Sequence, residues 1–181
     1  MQKRIVVVLA LLALTFATFA VAQMSKDKSQ RPSPPAQAQC KFSDGKTITV
    51  DYSSPRAKGR KIFGDLVPYG QVWRTGANEA TTFVTTANLR AGNLNIPAGN
   101  YTIFTIPNQD KWTLIINRKT GEWGIPYEYE SDELGRVDMK VSQTPAIVEN
   151  FTISLNQVGN SCVLNMSWEN TKATTEFMEA K

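Results

Sequence analysis

Apolar and polar residues alternate with a period of two along much of the chain. Ile48, Val50 and Tyr52 fall on one side of an extended backbone and Thr47, Thr49 and Asp51 on the other, the pattern of a strand with one buried face. Asp44-Gly45 stands just before this run and after Cys40 to Ser43, and an Asp-Gly pair suits the hairpin turn whose twist matches its flanking strands. Cys40 and Phe42 then share a face. Further on, Val137, Met139 and Val141 alternate with Asp138, Lys140 and Ser142, and Phe151, Ile153 and Leu155 with Thr152, Ser154 and Asn156. Cys162, Leu164, Met166 and Trp168 alternate with Val163, Asn165 and Ser167, which turns Cys162 inward. Residues 100–106 and 111–117, on either side of a turn at 107–110, form a predicted hairpin with apolar residues on both faces; such a pair belongs in a covered sheet interior. Beyond residue 22 no segment sustains a helical period. Short strands punctuated by Gly, Pro and Asn predict an all-β fold, a single-domain β-sandwich of jelly-roll-like type.

The ends change the picture of what that domain is. Lys3 and Arg4 precede an apolar run that closes on Ala20-Val21-Ala22, the layout of a signal peptide at 1–22 cleaved after Ala22. A retained anchor is the rival reading, since the run approaches the roughly 18 apolar residues at which a spanning helix becomes plausible; the small residues before Gln23 favour cleavage and a chain exported to the periplasm or beyond, with no membrane segment afterwards. Residues 23–39 hold three prolines and almost no large apolar side chain, a composition expected of a disordered linker. Residues 40–181 remain as one domain. Without Lys3 and Arg4 the 20 basic and 16 acidic residues become 18 and 16, which leaves no concentrated charge for nucleic acid. Export permits a disulfide between Cys40 and Cys162; two buried free thiols are the alternative. A bridge requires that the first and a late strand lie side by side.

Candidate chemistry is bounded by one absence: the chain has no histidine. Ser-His-Asp and Cys-His nucleophiles, a His base and His-rich metal sites are excluded, and two cysteines cannot build a thiolate cluster. No dinucleotide fingerprint, P-loop or EF-hand loop occurs, so no cofactor and no metal is expected. Three segments remain. Arg56, Lys58, Arg60 and Lys61 form a basic loop able to hold a carboxylate or phosphate, or simply a solvated one. Trp73, Arg74, Asn78 and Glu79 surround Gly76 and offer a stacking wall, an anion clamp and a base, or else an ion pair that pins a turn. Trp123, Tyr127 and Tyr129 interleave with Glu128, Glu130, Asp132 and Glu133, the aromatic and oxygen side chains of a glycan or calcium site, although no ligand spacing matches a known loop.

Two blocks, "DYSSPRAKGRKIFGDLVPYGQVWRTGANEATTF" and "LNIPAGNYTIFTIPNQDKWTLIIN", resemble the domain-of-unknown-function family numbered 2911, found in exported bacterial proteins. The motif matches at Pro55, Gly59, Arg60, Phe63, Gly64, Pro68, Gly70, Trp73, Arg74, Gly76, Asn78 and Glu79. The resemblance implies a bacterial, exported, β-rich domain and no defined reaction; Cys40 and Cys162 lie outside it.

Two functional expectations follow. One is a cell-envelope binding or structural module whose pocket near Arg60, Trp73, Arg74, Asn78 and Glu79 takes a small polar, anionic or carbohydrate ligand. The other is a carboxylate-dependent hydrolase or lyase with Glu79 as acid or base, Arg74 as charge stabiliser and Asp51 or Asp65 as a second carboxylate. Folding back of the 55–79 block is expected to bring Arg60 towards Arg74 and Glu79.

Overall fold

The computed structural model describes residues 27–180. The signal-peptide expectation for 1–22 and the first residues of the expected linker lie outside them. The chain divides into two units, Met1–Arg31 and Pro32–Lys181. Among the described residues of the first, a 3-10 turn covers Lys28–Gln30, where the Asp27 carboxylate accepts from the Ser29 amide at 2.9 Å.

The second unit is an antiparallel sheet built from β1 (Pro35–Lys41), β2 (Thr47–Ser53), β3 (Thr81–Thr85), β4 (Leu89–Ala91), β5 (Leu94–Ile96), β6 (Gly99–Ile106), β7 (Lys111–Asn117), β8 (Glu133–Val158) and β9 (Ser161–Glu179). Its strand order is β1-β2-β3-β6-β7-β8-β9-β4-β5. Among the described residues there is no helix longer than a 3-10 turn, and none is long and apolar enough to cross a membrane. The all-β expectation therefore holds, and the alternating residues sit as predicted: Ile48, Val50, Met139, Phe151, Leu164 and Met166 are each at most 1% exposed.

The two facing layers come from one continuous sheet. β8 and β9 are long because each serves both layers, and their pairing shifts register between Gln143 and Val148 and again before Thr152. Beyond those shifts the far halves form a hairpin that lies over β2. The Ile153 amide donates to the Tyr52 hydroxyl at 3.0 Å, and the Tyr52 and Phe151 rings meet edge to face at 5.7 Å. Cys40 and Cys162 are bonded, so no free cysteine remains. The bridge does not join neighbours in the ladder: β1 pairs with β2 and β9 with β8 and β4. It crosses between layers, where both cysteines point into the core.

At the start of the domain the structure differs from the sequence expectation. β1 begins at Pro35, placing five residues of the expected 23–39 linker in the sheet. Their polarity suits an edge strand. Ala38 and Cys40 supply the buried face, Gln37 and Gln39 bond across to Asp51 and Thr49 at 2.7 and 3.2 Å, and Pro35 stands at the first strand position, where a missing amide does least harm. Small alanines hide the alternation that larger side chains would have advertised.

The β6 and β7 hairpin is covered on both sides, as its two apolar faces require. One face joins the main core through Ile103, Leu114 and Ile116. On the other, Phe104 and Ile115 pack with Ala80 under Val72, Ile106, Tyr127 and Tyr129.

Candidate functional site: the loop between β2 and β3

The basic half of this loop is tied to the bend of β8 and β9. The Ser54 hydroxyl donates to the Phe151 carbonyl at 2.7 Å, and the Phe151 amide returns a bond to Pro55 at 2.8 Å. The Ala57 and Lys58 amides donate to the Glu149 carbonyl and carboxylate, both at 2.8 Å. The Ile62 amide donates to the Glu169 carboxylate at 2.9 Å. Arg60 spends its fork on its own loop, with Nε on the Ala57 carbonyl at 3.0 Å and Nη2 on the Arg56 carbonyl at 2.6 Å. A guanidinium bonded to carbonyls closes a turn without a carboxylate partner.

The second half returns across the core. Trp73 forms a bridge with Thr105 through both backbone bonds, at 2.7 and 2.9 Å. Its ring enters an aromatic cluster, stacked on Trp168 at 6.0 Å and edge-on to Phe151 at 4.9 Å and to Phe63 at 6.1 Å. The indole N–H donates to the Gly76 carbonyl at 3.1 Å. Gly76 has to be glycine because a Cβ there would fall 2.9 Å from the Ser53 carbonyl oxygen. Thr75 and Asn78 adopt left-handed backbone angles, φ 58° each. Thr75 is held by the Thr105 hydroxyl at 3.1 Å and by Thr81, whose hydroxyl donates to its carbonyl at 2.8 Å. Asn78 donates to the Ser33 carbonyl at 3.0 Å.

Arg74 points the other way. Its guanidinium carbon lies 4.8 Å over the Trp123 ring, and Nη1 donates to the Trp123 carbonyl at 3.4 Å. Partial burial lowers its pKa, against the opposing field of Glu79. The Ala80 amide donates to the Glu122 carbonyl at 3.1 Å, and Gly124 is wedged so that an added Cβ would meet Ala80 Cβ at 2.8 Å. The second and third candidate segments of the sequence are thus one assembly. Spacing gave no sign of this, because the contact spans 49 positions.

Beneath that assembly the acidic and aromatic residues form a bonded network. The Tyr127 hydroxyl donates to Glu133 at 2.6 Å, and Arg136 grips the same carboxylate through two bonds at 2.8 and 2.9 Å. Asn117 donates to the Tyr127 hydroxyl at 3.2 Å and the Tyr129 carbonyl at 2.7 Å. Burial and the neighbouring Glu133 push the Tyr127 phenol up. Burial works to raise Glu133 as well, but the bonds from Arg136 and Tyr127 win and hold its carboxyl below the usual range. Among the described residues no group of three or more His, Cys, Asp or Glu is arranged to hold a metal ion.

Of the five predicted residues, then, Arg74 and Glu79 share an electrostatic neighbourhood. Trp73 sits in the aromatic cluster, Asn78 fastens the chain before β1, and Arg60 closes the basic loop on itself. Four surface depressions of about 370–450 Å³ are lined by other residues. Asp51, the suggested second carboxylate, accepts from Gln37 across β1 and β2.

Comparison with known proteins gives a family match. The model of a family described as "Protein of unknown function (DUF2911)" covers residues 33–177. No curated protein and no solved structure matches the chain.

Proposed function

The chain belongs to the DUF2911 family, whose function is undefined, and we propose that this member is an exported bacterial cell-envelope module that binds a small polar, anionic or carbohydrate ligand beside Arg74. What carries the reading is the stack of Arg74 at 4.8 Å on Trp123, an indole left 55% exposed. An exposed aromatic plane beside a guanidinium offers stacking area and directed N–H donors in one place. A bound ligand would find both already positioned, which limits the entropy lost on binding. Export is supported by the Cys40–Cys162 bond, since disulfides persist in oxidising compartments.

Thermal shift of residues 23–181 against sugars, organic acids and divalent cations tests this. Stabilisation by one of these classes, lost in Arg74→Met and Trp123→Ala, is the expected result. No stabilisation by any of them would sink the reading. Glu79→Gln separates binding from reaction: a hydrolase or lyase would keep the ligand and lose turnover.

A further inference from the structure

We propose that the turn joining β6 and β7, together with Tyr69, is a binding site for a neutral carbohydrate, on residues separate from the Arg74 and Trp123 assembly. Tyr69, Asn108, Gln109, Asp110 and Lys111 line a surface depression of about 430 Å³, within the size range of small-molecule sites.

The Tyr69 ring packs against the loop that carries it. It lies against the backbone of Gly64, where a Cβ would fall 2.7 Å from its Cε2 and where φ of +86° already calls for glycine. Val67, buried two positions earlier, donates its amide to Ile62 at 2.9 Å, and Gly70 donates to the Pro107 carbonyl at 2.9 Å. These bonds tie the residues flanking Tyr69 to the loop on one side and to the β6 end on the other. Tyr69 as a whole residue remains 37% exposed, while part of its ring is seated on glycine. A large, rigid aromatic surface of this kind supplies contact area at little cost in side-chain entropy.

The polar groups beside it select the ligand class. Asn108 and Gln109 are exposed and carry planar amides, each with donors and acceptors, the complement of neighbouring sugar hydroxyls. An anionic ligand is disfavoured, because Lys111 is paired with Asp138 at 3.1 Å and Asp110 adds a negative charge. A purely apolar ligand would leave the amides and carboxylate without partners, an unfavourable desolvation. A neutral polyhydroxylated ring, with apolar C–H groups on one face and hydroxyls at its edge, satisfies both halves.

Native affinity electrophoresis of residues 23–181 provides the test, in gels cast with hydroxyethylcellulose, galactomannan, arabinoxylan or laminarin, and with polygalacturonate as the anionic control. Retardation by at least one neutral polymer is expected, and any retardation by polygalacturonate should be the same in Tyr69→Ala as in the parent, since this site does not take an anion. Tyr69→Ala should weaken binding of the neutral polymer about tenfold or more, as loss of an aromatic anchor does, whereas Tyr69→Phe should retain it. The double variant Asn108→Ala with Gln109→Ala should also weaken it, and it decides the matter if Tyr69→Ala fails to fold by circular dichroism. Retardation lost in folded Tyr69→Ala but surviving in Arg74→Met assigns the binding to this site; retardation lost in Arg74→Met and kept in folded Tyr69→Ala assigns it to the Arg74 site and overturns the proposal. The proposal is overturned if no neutral polymer retards the protein, if only polygalacturonate does, or if folded Tyr69→Ala and the double variant migrate as the parent.

Discussion

The Glu169 carboxylate of β9 accepts the Ile62 amide at 2.9 Å, across 107 positions of chain. Glu169 stands where the β8 and β9 register shifts, with φ of 49°, and Ile62 is wholly buried. The bond pins the basic loop to the bend that makes the fold two-layered. Removing the acceptor leaves a buried N–H unpaired, a loss of about 1–3 kcal/mol. Glu169→Ala should therefore lower the free energy of unfolding in urea by that amount, and Glu169→Gln, which keeps an acceptor oxygen, by less. Equal stability of Glu169→Ala and the parent would mean that the amide finds another partner.

How much of this was legible beforehand differs between the fold and the site. Strand faces followed from local alternation, and the inward direction of Cys40 and Cys162 was readable because period two is a property of neighbouring residues. Their union across layers was not, since it depends on β8 and β9 bending over β2. β1 was obscured by alanine and glutamine, whose edge role emerges only from pairing. In the site, the density of functional side chains around Gly76 was visible, but Trp73 and Asn78 serve packing and loop closure. Arg74 found its partner in Trp123, a residue no sequence spacing connects to it.

The disulfide closes a loop of 122 residues between Cys40 and Cys162. Crosslinks of such length restrict the unfolded chain, by about 4–5 kcal/mol on the entropic account, and deletion of a native bridge commonly costs about 2–5 kcal/mol. A Cys40→Ser, Cys162→Ser double variant should unfold at distinctly lower denaturant, and the parent should match it when unfolded and refolded in reductant. A shift below about 1 kcal/mol would indicate that the packing of Tyr52 on Phe151 holds the layers unaided.

The Tyr127, Glu133 and Arg136 network predicts how stability responds to pH. Glu133 has a folded-state pKa below its ordinary value, so its contribution is present above the unfolded-state pKa near 4.5 and is lost as pH falls through the lower folded value. Tyr127 is raised from 10.0; its contribution is present below pH 10 and is lost as pH climbs through the elevated folded value. Glu133→Gln should flatten the acid limb of a melting-temperature profile, and Tyr127→Phe the alkaline limb. An acid limb unchanged in Glu133→Gln would assign that transition to other carboxylates.

Gly124 holds the place where the β2 to β3 loop meets the aromatic segment. Its φ is +89°, and a Cβ would come within 2.8 Å of Ala80 Cβ and 3.0 Å of Phe104 Cε1. Gly121, three residues earlier, has φ of +78° with nothing within 4 Å of the same added atom. Alanine at either position carries the left-handed backbone penalty of about 1–2 kcal/mol, but only Gly124→Ala adds overpacking, typically about 1–3 kcal/mol more. The difference between the two variants in urea unfolding thus isolates the contact from the backbone. Gly124→Ala should also displace Trp123 from Arg74, since Arg74 Cβ lies 3.3 Å from the added atom, and so weaken any ligand bound beside Arg74 while Gly121→Ala leaves it intact. Equal effects of the two alanines on stability and on ligand-induced stabilisation would show that the wedge at Gly124 does not position the stack.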